Sequence, residues 1–97
     1  MRIIKKKTLK IFSEKYPDIK NQLEAWYREM KTGTFKTPAD IKKKYKSADI
    51  ITNNRVIFNI KGNHYRLIVK FHYNLQIGYI RFIGTHEEYN KINAKEI

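Results

Sequence analysis

Two arginines, a histidine and a tyrosine near the end of the chain have the types and spacing that chemistry requires. Arg66 and Arg81 each interrupt a run of apolar, strand-forming residues, and His86 and Tyr89 follow three positions apart. A guanidinium presents a planar fork of donors that matches phosphate oxygens. An imidazole or a phenol can orient a substrate or transfer a proton. Together these side chains indicate chemistry on a phosphodiester.

The segment that holds the arginines has the period-two pattern of β-strands. From Asp49 onward, apolar and polar residues alternate between short turn sequences that contain asparagine or glycine. The pattern predicts four strands joined as antiparallel hairpins, at residues 49–52, 55–60, 65–72 and 77–83.

The two tightest turns of these hairpins predict which residues face each other. Directly opposed residues in an antiparallel pair share a face, and their residue numbers have a constant sum. The predicted register opposes Asn59 to Arg66, and Ile68 to Arg81. One face therefore carries five polar side chains: Asn59, Arg66, Lys70, Tyr79 and Arg81.

The other face of the same strands is apolar throughout. Its predicted members are Val56, Phe58, Ile60, Tyr65, Leu67, Val69, Phe71, Ile80 and Phe82. We expect this face to pack against the helices because it is continuously apolar. A one-residue bulge in either loop would turn a strand over and bury charge in the core, so we expect the predicted register. The polar face also keeps apolar side chains that suit the walls of a concave site: Ile57, Ile68 and Ile83.

The first half of the chain predicts the helices that cover the apolar face. Two isoleucines near the start suggest a short strand, and the spacing of the next apolar residues predicts a helix that ends near Tyr16. Asp18 is predicted to cap a second helix, which places Trp26 in the core and stops at Gly33.

Two capping boxes predict shorter helices. Residues 37–40 combine a capping hydroxyl, a proline and an acid at the start of a helix that should reach about Lys46. Thr85 and Glu88 form the same kind of box before a last helix predicted through Ile92. The first of these two helices has a dense positive surface, which is formed by Lys42, Lys43, Lys44 and Lys46. This surface either contacts a phosphate backbone or is only a solvated face.

Composition limits the class of partner. The 97 residues suffice for one small domain with a single core, and Lys plus Arg number 21 against nine Asp plus Glu, a formal charge of +12. So large an excess is destabilising by self-repulsion and indicates a nucleic-acid partner. With no cysteine and no metal-like histidine spacing, we expect neither metal nor cofactor. The charged start and the absence of a long apolar segment favour the cytoplasm.

Three strings of the sequence resemble the HigB-type toxins of the RelE-like group, found in bacterial type II toxin–antitoxin systems. They are VIFNIKGNHYR at residues 56–66, YIR at 79–81 and THEEY at 85–89. The likeness spans nearly the whole chain. It implies an α+β fold, with N-terminal helices packed on a curved, mostly antiparallel sheet and a short C-terminal helix. It also implies an endoribonuclease that cuts mRNA on the translating ribosome, with a HigA-like helix-turn-helix antitoxin as partner.

The same resemblance implies roles for the site residues. Enzymes of this group activate the ribose 2′-hydroxyl for attack on the adjacent phosphate. Arg66 and Arg81 then resemble phosphate binders, and His86 and Tyr89 are candidates for orienting substrate or transferring a proton. His86 is the first choice of base. Two more residues of the polar face would support RNA binding. Asn59 would orient Arg66, and Lys70 would add positive charge.

Other interpretations of these residues stay open. The basic surface also suits a non-catalytic RNA- or ribosome-binding module whose aromatic side chains stack bases. A third class is a relative that keeps the fold and the antitoxin contact without activity. The arginines could also form structural ion pairs with the few nearby acids, Asp49, Glu87 and Glu88.

Overall fold

Five strands form one open sheet in the computed structural model, which describes residues 1–97. In chain order they are β1 (Arg2–Ile4), β2 (Asp49–Ile50), β3 (Arg55–Ile60), β4 (Tyr65–His72) and β5 (Ile77–Thr85). The order across the sheet is β1-β5-β4-β3-β2, and β1 is parallel to β5 while the other pairs are antiparallel. The predicted α+β class with a mostly antiparallel sheet is confirmed.

Four helices accompany the sheet. They are α1 (Lys7–Lys15), α2 (Lys20–Thr32), α3 (Pro38–Lys44) and the short C-terminal α4 (His86–Tyr89). Both predicted capping boxes are present, at the starts of α3 and α4. The last helix is shorter than predicted and does not reach Ile92. None of the four combines the length and the apolar character that crossing a membrane requires.

Asp18 does not cap the second helix, contrary to prediction. A 3₁₀ turn, Pro17–Ile19, leads directly into α2, whose start has no side-chain cap. The Asp18 carboxylate instead accepts a hydrogen bond from Lys61 Nζ at 2.8 Å and one from the Tyr65 hydroxyl at 3.4 Å. The acid therefore joins the helical layer to the β3–β4 hairpin, because the lysine is a stronger partner than the neutral backbone amides.

The predicted apolar face of the sheet packs against α1 and α2 and forms the core. Trp26 of α2 is 3% exposed and meets the Phe58 ring edge-on, with ring centres 5.4 Å apart. Leu67 and Val69 of β4 are fully buried in the same cluster. The prediction that Trp26 is a core residue is confirmed.

The register between β4 and β5 differs from the predicted one. It shifts by one residue between Ile68 and Val69, so that Ile68 faces Phe82 and Arg81 is the extra residue. An extra residue in one strand of a pair is a β-bulge, which locally bends the strand and re-aims side chains. The predicted opposition of Ile68 and Arg81 is therefore wrong.

The bulge exchanges the faces of the residues that follow it. Ile83 packs against the core, whereas Phe82 lies on the polar face together with Gly84. A Cβ atom on Gly84 would lie 2.5 Å from the Phe82 ring, so glycine lets this ring lie flat against the end of β5. Phe82 had been predicted in the core and Ile83 on the polar face, and both predictions are wrong for the same reason.

The residues that follow α4 lie across the polar face, which we call the site face. Ile57 and Ile68 point to this face, yet they are only 3% and 0% exposed and lie outside the main core cluster. Arg55 Nη2 donates to the main-chain oxygen of Ile97 at 2.6 Å, and Asn53 Nδ2 donates to that of Lys95 at 3.1 Å. The C-terminal residues therefore cover the apolar floor of one half of the site face.

The bulge can be tested through the residue that it turns inward. Ile83→Ala should lower the free energy of unfolding by about 2 kcal/mol, because it removes half-buried methyl groups that pack on the core. Leu75→Ala is the control, since Leu75 is 63% exposed in the β4–β5 loop and should cost less than about 0.5 kcal/mol. Urea denaturation measures both, and equal values for the two variants would contradict the observed register.

Candidate active site

The capping box at the start of α4 fixes two of the predicted site residues. The Thr85 hydroxyl accepts from Glu88 N–H at 3.1 Å, and Glu88 Oε1 accepts from Thr85 N–H at 2.8 Å. His86 N–H also donates to the main-chain oxygen of His64 at 3.0 Å, which ties the helix to the β3–β4 loop. These bonds hold His86 and Tyr89 at the end of β5, with ring centres 6.2 Å apart.

Arg66 on β4 completes this group. Its guanidinium carbon lies 4.5 Å from the centre of the Tyr89 ring, a cation–π stack. Arg66 Nε is buried and has no hydrogen-bond partner. A buried, unpaired donor of this kind costs about 1–3 kcal/mol. The structure therefore brings together three of the predicted residues, Arg66, His86 and Tyr89.

An asparagine that sequence reasoning missed contacts the imidazole. The side-chain amide of Asn90 lies 3.4 Å from His86 Nδ1. Asn90 is four residues after His86, so the two side chains share one face of the last helical turn.

Arg81 belongs to a second group on the site face. The bulge exposes its side chain, and its Nε donates to the main-chain oxygen of Ile97 at 3.2 Å. Arg55 donates to the same oxygen through Nε at 3.0 Å and through Nη2 at 2.6 Å. Two guanidiniums thus converge on one acceptor, and no bond joins Arg81 to the Arg66 group.

Arg55 was missed as a site residue, although its position was within reach of sequence reasoning. It lies opposite Lys70, as the β3–β4 register predicts, and therefore on the site face. It is 6% exposed, and its guanidinium bonds only to main-chain oxygens, those of Asn53 and Ile97. An arginine on that face with no acid opposite was the available signal.

Neither of the two predicted arginines forms a structural ion pair with the nearby acids, which was the alternative interpretation. The chain has one salt bridge, between Lys61 and Asp18 at 2.8 Å. Neither Arg66 nor Arg81 contacts the carboxylate of an Asp or Glu residue. The guanidinium of Arg66 has no hydrogen-bonded partner, whereas Arg81 Nε is bonded to the Ile97 oxygen.

The remaining predicted RNA contacts are spread over the surface. Asn59 faces Arg66 as predicted, but its Nδ2 donates to the main-chain oxygen of Ser47 at 2.7 Å and does not bond Arg66. Lys70 is exposed on the site face. The lysines of α3 and its end are exposed, and one of them, Lys42, donates to the main-chain oxygen of Ala48 at 2.6 Å. None of these lysines forms a hydrogen bond with the Arg66 group. They are Lys42, Lys43, Lys44 and Lys46.

The capping box predicts a titration that can be followed directly. The hydrogen bond from Thr85 N–H holds the pKa of Glu88 below its ordinary value of 4.5. A depressed pKa means that the bond stabilises the fold above pH 4.5 and is lost as the pH falls through the lowered value. The Thr85 amide proton shift, followed by NMR, should therefore titrate with a midpoint below 4.5. Glu88→Gln keeps the capping geometry without the charge and should show no such step. A midpoint at or above 4.5 would contradict the bond.

Comparison with known proteins agrees with this architecture. A family model described as HigB toxin, the RelE-like toxic component of a toxin–antitoxin system, matches residues 19–92. The mRNA interferase toxin HigB of Escherichia coli strain K12 is 34% identical over 96 residues, which cover 97% of this chain and 92% of that protein. The mRNA interferase HigB of Shigella flexneri matches to the same extent. That of Escherichia coli O6:H1 is 27% identical over 94 residues, covering 95% and 91% of the two chains. The chain belongs to the HigB family of RelE-like toxins of toxin–antitoxin systems.

Proposed function

We propose that this toxin is an mRNA interferase, an endoribonuclease that cleaves mRNA. The observation that carries the proposal is the Arg66 guanidinium, which stacks on Tyr89 beside His86 and has no carboxylate partner. The formal charge of +12 supports RNA as substrate, because phosphate neutralisation drives binding to nucleic acid. The relatives' name, mRNA interferase, supports the same activity.

The reaction we propose is an internal displacement at phosphorus. The ribose 2′-oxygen loses its proton and bonds to the adjacent phosphorus, the bond to the 5′-oxygen of the next nucleotide breaks, and that oxygen takes up a proton. The products are a 2′,3′-cyclic phosphate and a 5′-hydroxyl. Arg66 would bind the phosphate and stabilise the negative charge that builds up on its oxygens in the transition state. Tyr89 would hold the guanidinium in place from below and orient the substrate with its hydroxyl.

His86 is proposed to transfer a proton in this reaction. Its ring centre lies 6.2 Å from that of Tyr89, which stacks on the guanidinium that would hold the phosphate. Its imidazole would take the proton of the 2′-hydroxyl as the general base, the role first expected for it.

The second arginine group is proposed to bind a neighbouring phosphate of the same RNA. Arg55 and Arg81 converge on the Ile97 main-chain oxygen, and a phosphate oxygen would take the place of that acceptor. Lys70, opposite Arg55 in the sheet, would add positive charge at the same place. A single-stranded RNA running along the site face would then contact both groups.

Membership of a toxin–antitoxin family implies a cognate antitoxin. We propose that this partner is a HigA-like helix-turn-helix protein, that cleavage takes place on the translating ribosome, and that the toxin acts in the cytoplasm. One domain over residues 1–97 would carry all of these contacts. A helix-turn-helix protein in the adjacent reading frame would support the choice of partner.

The phosphate-binding role of Arg66 makes the sharpest mutational prediction. Arg66→Ala should lower mRNA cleavage in a translation extract by about 100-fold or more, the size expected for a donor to transition-state charge. Arg81→Ala should lower it by about tenfold or more, because it removes a phosphate contact further from the Arg66 group. Arg2→Ala is the matched control, an exposed arginine on β1 whose loss should leave cleavage within about twofold of wild type.

Circular dichroism should show the fold of all three variants intact. Wild-type cleavage by both Arg66→Ala and Arg81→Ala would remove the basis of the proposal. RNA binding without new mRNA ends, for the wild-type protein, would favour the non-catalytic binding module instead.

The role of His86 is tested by substitution. His86→Gln should reduce the cleavage rate by about 10²-fold to 10⁴-fold, the usual contribution of a general acid or base. Cleavage rates on the same message check this, with circular dichroism to show that the variant is folded. An unchanged cleavage rate would make His86 a structural residue of α4.

A further inference from the structure

Phe82 is the one phenylalanine of the chain that lies outside the core. The chain has five phenylalanines, and the other four belong to the core cluster or pack against it. Phe82 is half-buried on the site face of β5, where it faces Ile68 of β4. A ring of this size usually contributes to the core of a small domain. Its place on the opposite face therefore indicates another role.

The bulge at Arg81 is what turns Phe82 to the site face. Without the extra residue, the alternation along β5 would point Phe82 to the core, as it does Ile80. A bulge interrupts the hydrogen-bond ladder and re-aims side chains, and bulges are frequent next to active sites. In this strand the interruption brings an aromatic ring to the face that carries the arginines.

Gly84 provides room for the ring beside Arg66. The position that a Cβ atom of Gly84 would occupy lies 2.5 Å from Phe82 Cζ and 3.1 Å from Cε2, so the ring extends along β5 over the glycine. Gly84 is directly opposite Arg66 in the sheet, and opposed Cα atoms are about 4.5–5.5 Å apart. The tip of the ring therefore lies next to the residue whose guanidinium stacks on Tyr89.

The base of the same side chain adjoins the second arginine group. Phe82 directly follows Arg81, whose Nε donates to the main-chain oxygen of Ile97 at 3.2 Å. Arg55 donates to that oxygen through Nη2 at 2.6 Å. An RNA strand with one phosphate at Arg66 and another at this group would pass over Phe82. The ring thus lies where a nucleotide between the two phosphate contacts would present its base.

We propose that Phe82 is a stacking platform for a base of the RNA, a role that rests on the proposed function, because that function supplies the strand between the two arginine groups. Aromatic side chains stack on nucleobases, and every base has a π-face, so such a contact accepts all four bases. A positively charged path combined with an aromatic ring is a common way for proteins to hold single-stranded nucleic acid. The guanidiniums would bind the phosphates, and the ring would bind the base between them.

Packing is the other role that Phe82 could have. Ile68, its neighbour across the sheet, is 0% exposed, and the ring lies beside it. The two roles differ in what a substitution does to binding. Loss of packing alone would weaken the binding of every ligand of the site face alike, whereas loss of a stacking partner weakens only ligands that carry bases.

Two single-stranded oligodeoxynucleotides of equal length separate the bases from the phosphates. One carries a base at every position, and the other is abasic throughout and keeps every phosphate. Neither strand has the 2′-hydroxyl that the proposed reaction requires, so neither is cleaved by it. Fluorescence anisotropy measures the affinity of the full chain for each strand. The wild-type protein should bind the base-carrying strand about tenfold or more tightly than the abasic one.

Phe82→Leu is the decisive variant, because leucine keeps an apolar side chain and removes the ring. The preference for the base-carrying strand should fall by about fivefold or more, the size of one lost stack. Phe82→Met, a second apolar side chain without a ring, should give the same fall. Ile80→Val is the matched control, since it trims the core face of the same strand at a residue that is 3% exposed, and it should leave the preference within about twofold of wild type. Arg81→Ala should weaken the binding of both strands alike, because it removes a phosphate contact.

Three results would overturn the proposal: no saturable binding of the base-carrying strand, equal affinity of the wild-type protein for the two strands, or a preference that survives in both Phe82→Leu and Phe82→Met. The assay does not depend on cleavage. A preference that requires Phe82, in a wild-type protein that leaves translated mRNA intact, would reject the proposed function and keep the base platform. Cleavage by a protein whose preference survives both substitutions would do the reverse.

Discussion

The division of the sheet into two chemically different faces is the constraint on which the rest of the molecule depends. Side chains along β3 and β4 alternate between the helical layer and the site face. Because one face is committed to Trp26, Phe58 and the rest of the core, every polar residue of these strands must lie on the other side. The arginines of these strands therefore lie together on the site face of the free protein. The formal charge of +12 cannot be neutralised within a chain that has nine acids.

The bulge at Arg81 divides the polar side chains of the site face into two groups. It lets β5 keep Ile80 and Ile83 in the core while Arg81 stands out from the sheet. Phe82 and Gly84 then line the site face below the position of α4. The result is one group built on Arg66 and α4, and another built on Arg81 and Arg55. A strand without the bulge would have aimed Arg81 along the same line as Arg66.

Local sequence was sufficient for the parts of the fold that local chemistry decides. The capping boxes and the register of β3 with β4 are examples, because short-range hydrogen bonds and an unbroken alternation specify them. The bulge was not predictable, since Phe82 and Ile83 are both apolar and either one satisfies the pattern. Asp18 was misjudged because its partner, Lys61, is 43 residues away. The contact of Arg55 with Ile97 spans 42 residues and has no local signal either.

The candidate site was predicted in its residue types more fully than in its geometry. The sequence predicted that Arg66, His86 and Tyr89 lie close together, as they do. It also joined Arg81 to them and overlooked Asn90, whose amide contacts the imidazole. Long side chains such as arginine reach different partners from similar backbone positions, so their grouping depends on what covers the sheet. Here the residues after α4 provide that cover for the Arg81 group.

The chemistry of the RNA ends tests the central claim most directly. Internal attack by the 2′-hydroxyl, with the phosphate held by Arg66 and no water as nucleophile, leaves a 2′,3′-cyclic phosphate and a 5′-hydroxyl. Mapping the ends that the purified toxin produces on translated mRNA should find these two groups, and Arg66→Ala should remove them. Fragments that carry a 5′-phosphate, or a message left intact by the folded wild-type protein, would contradict the account.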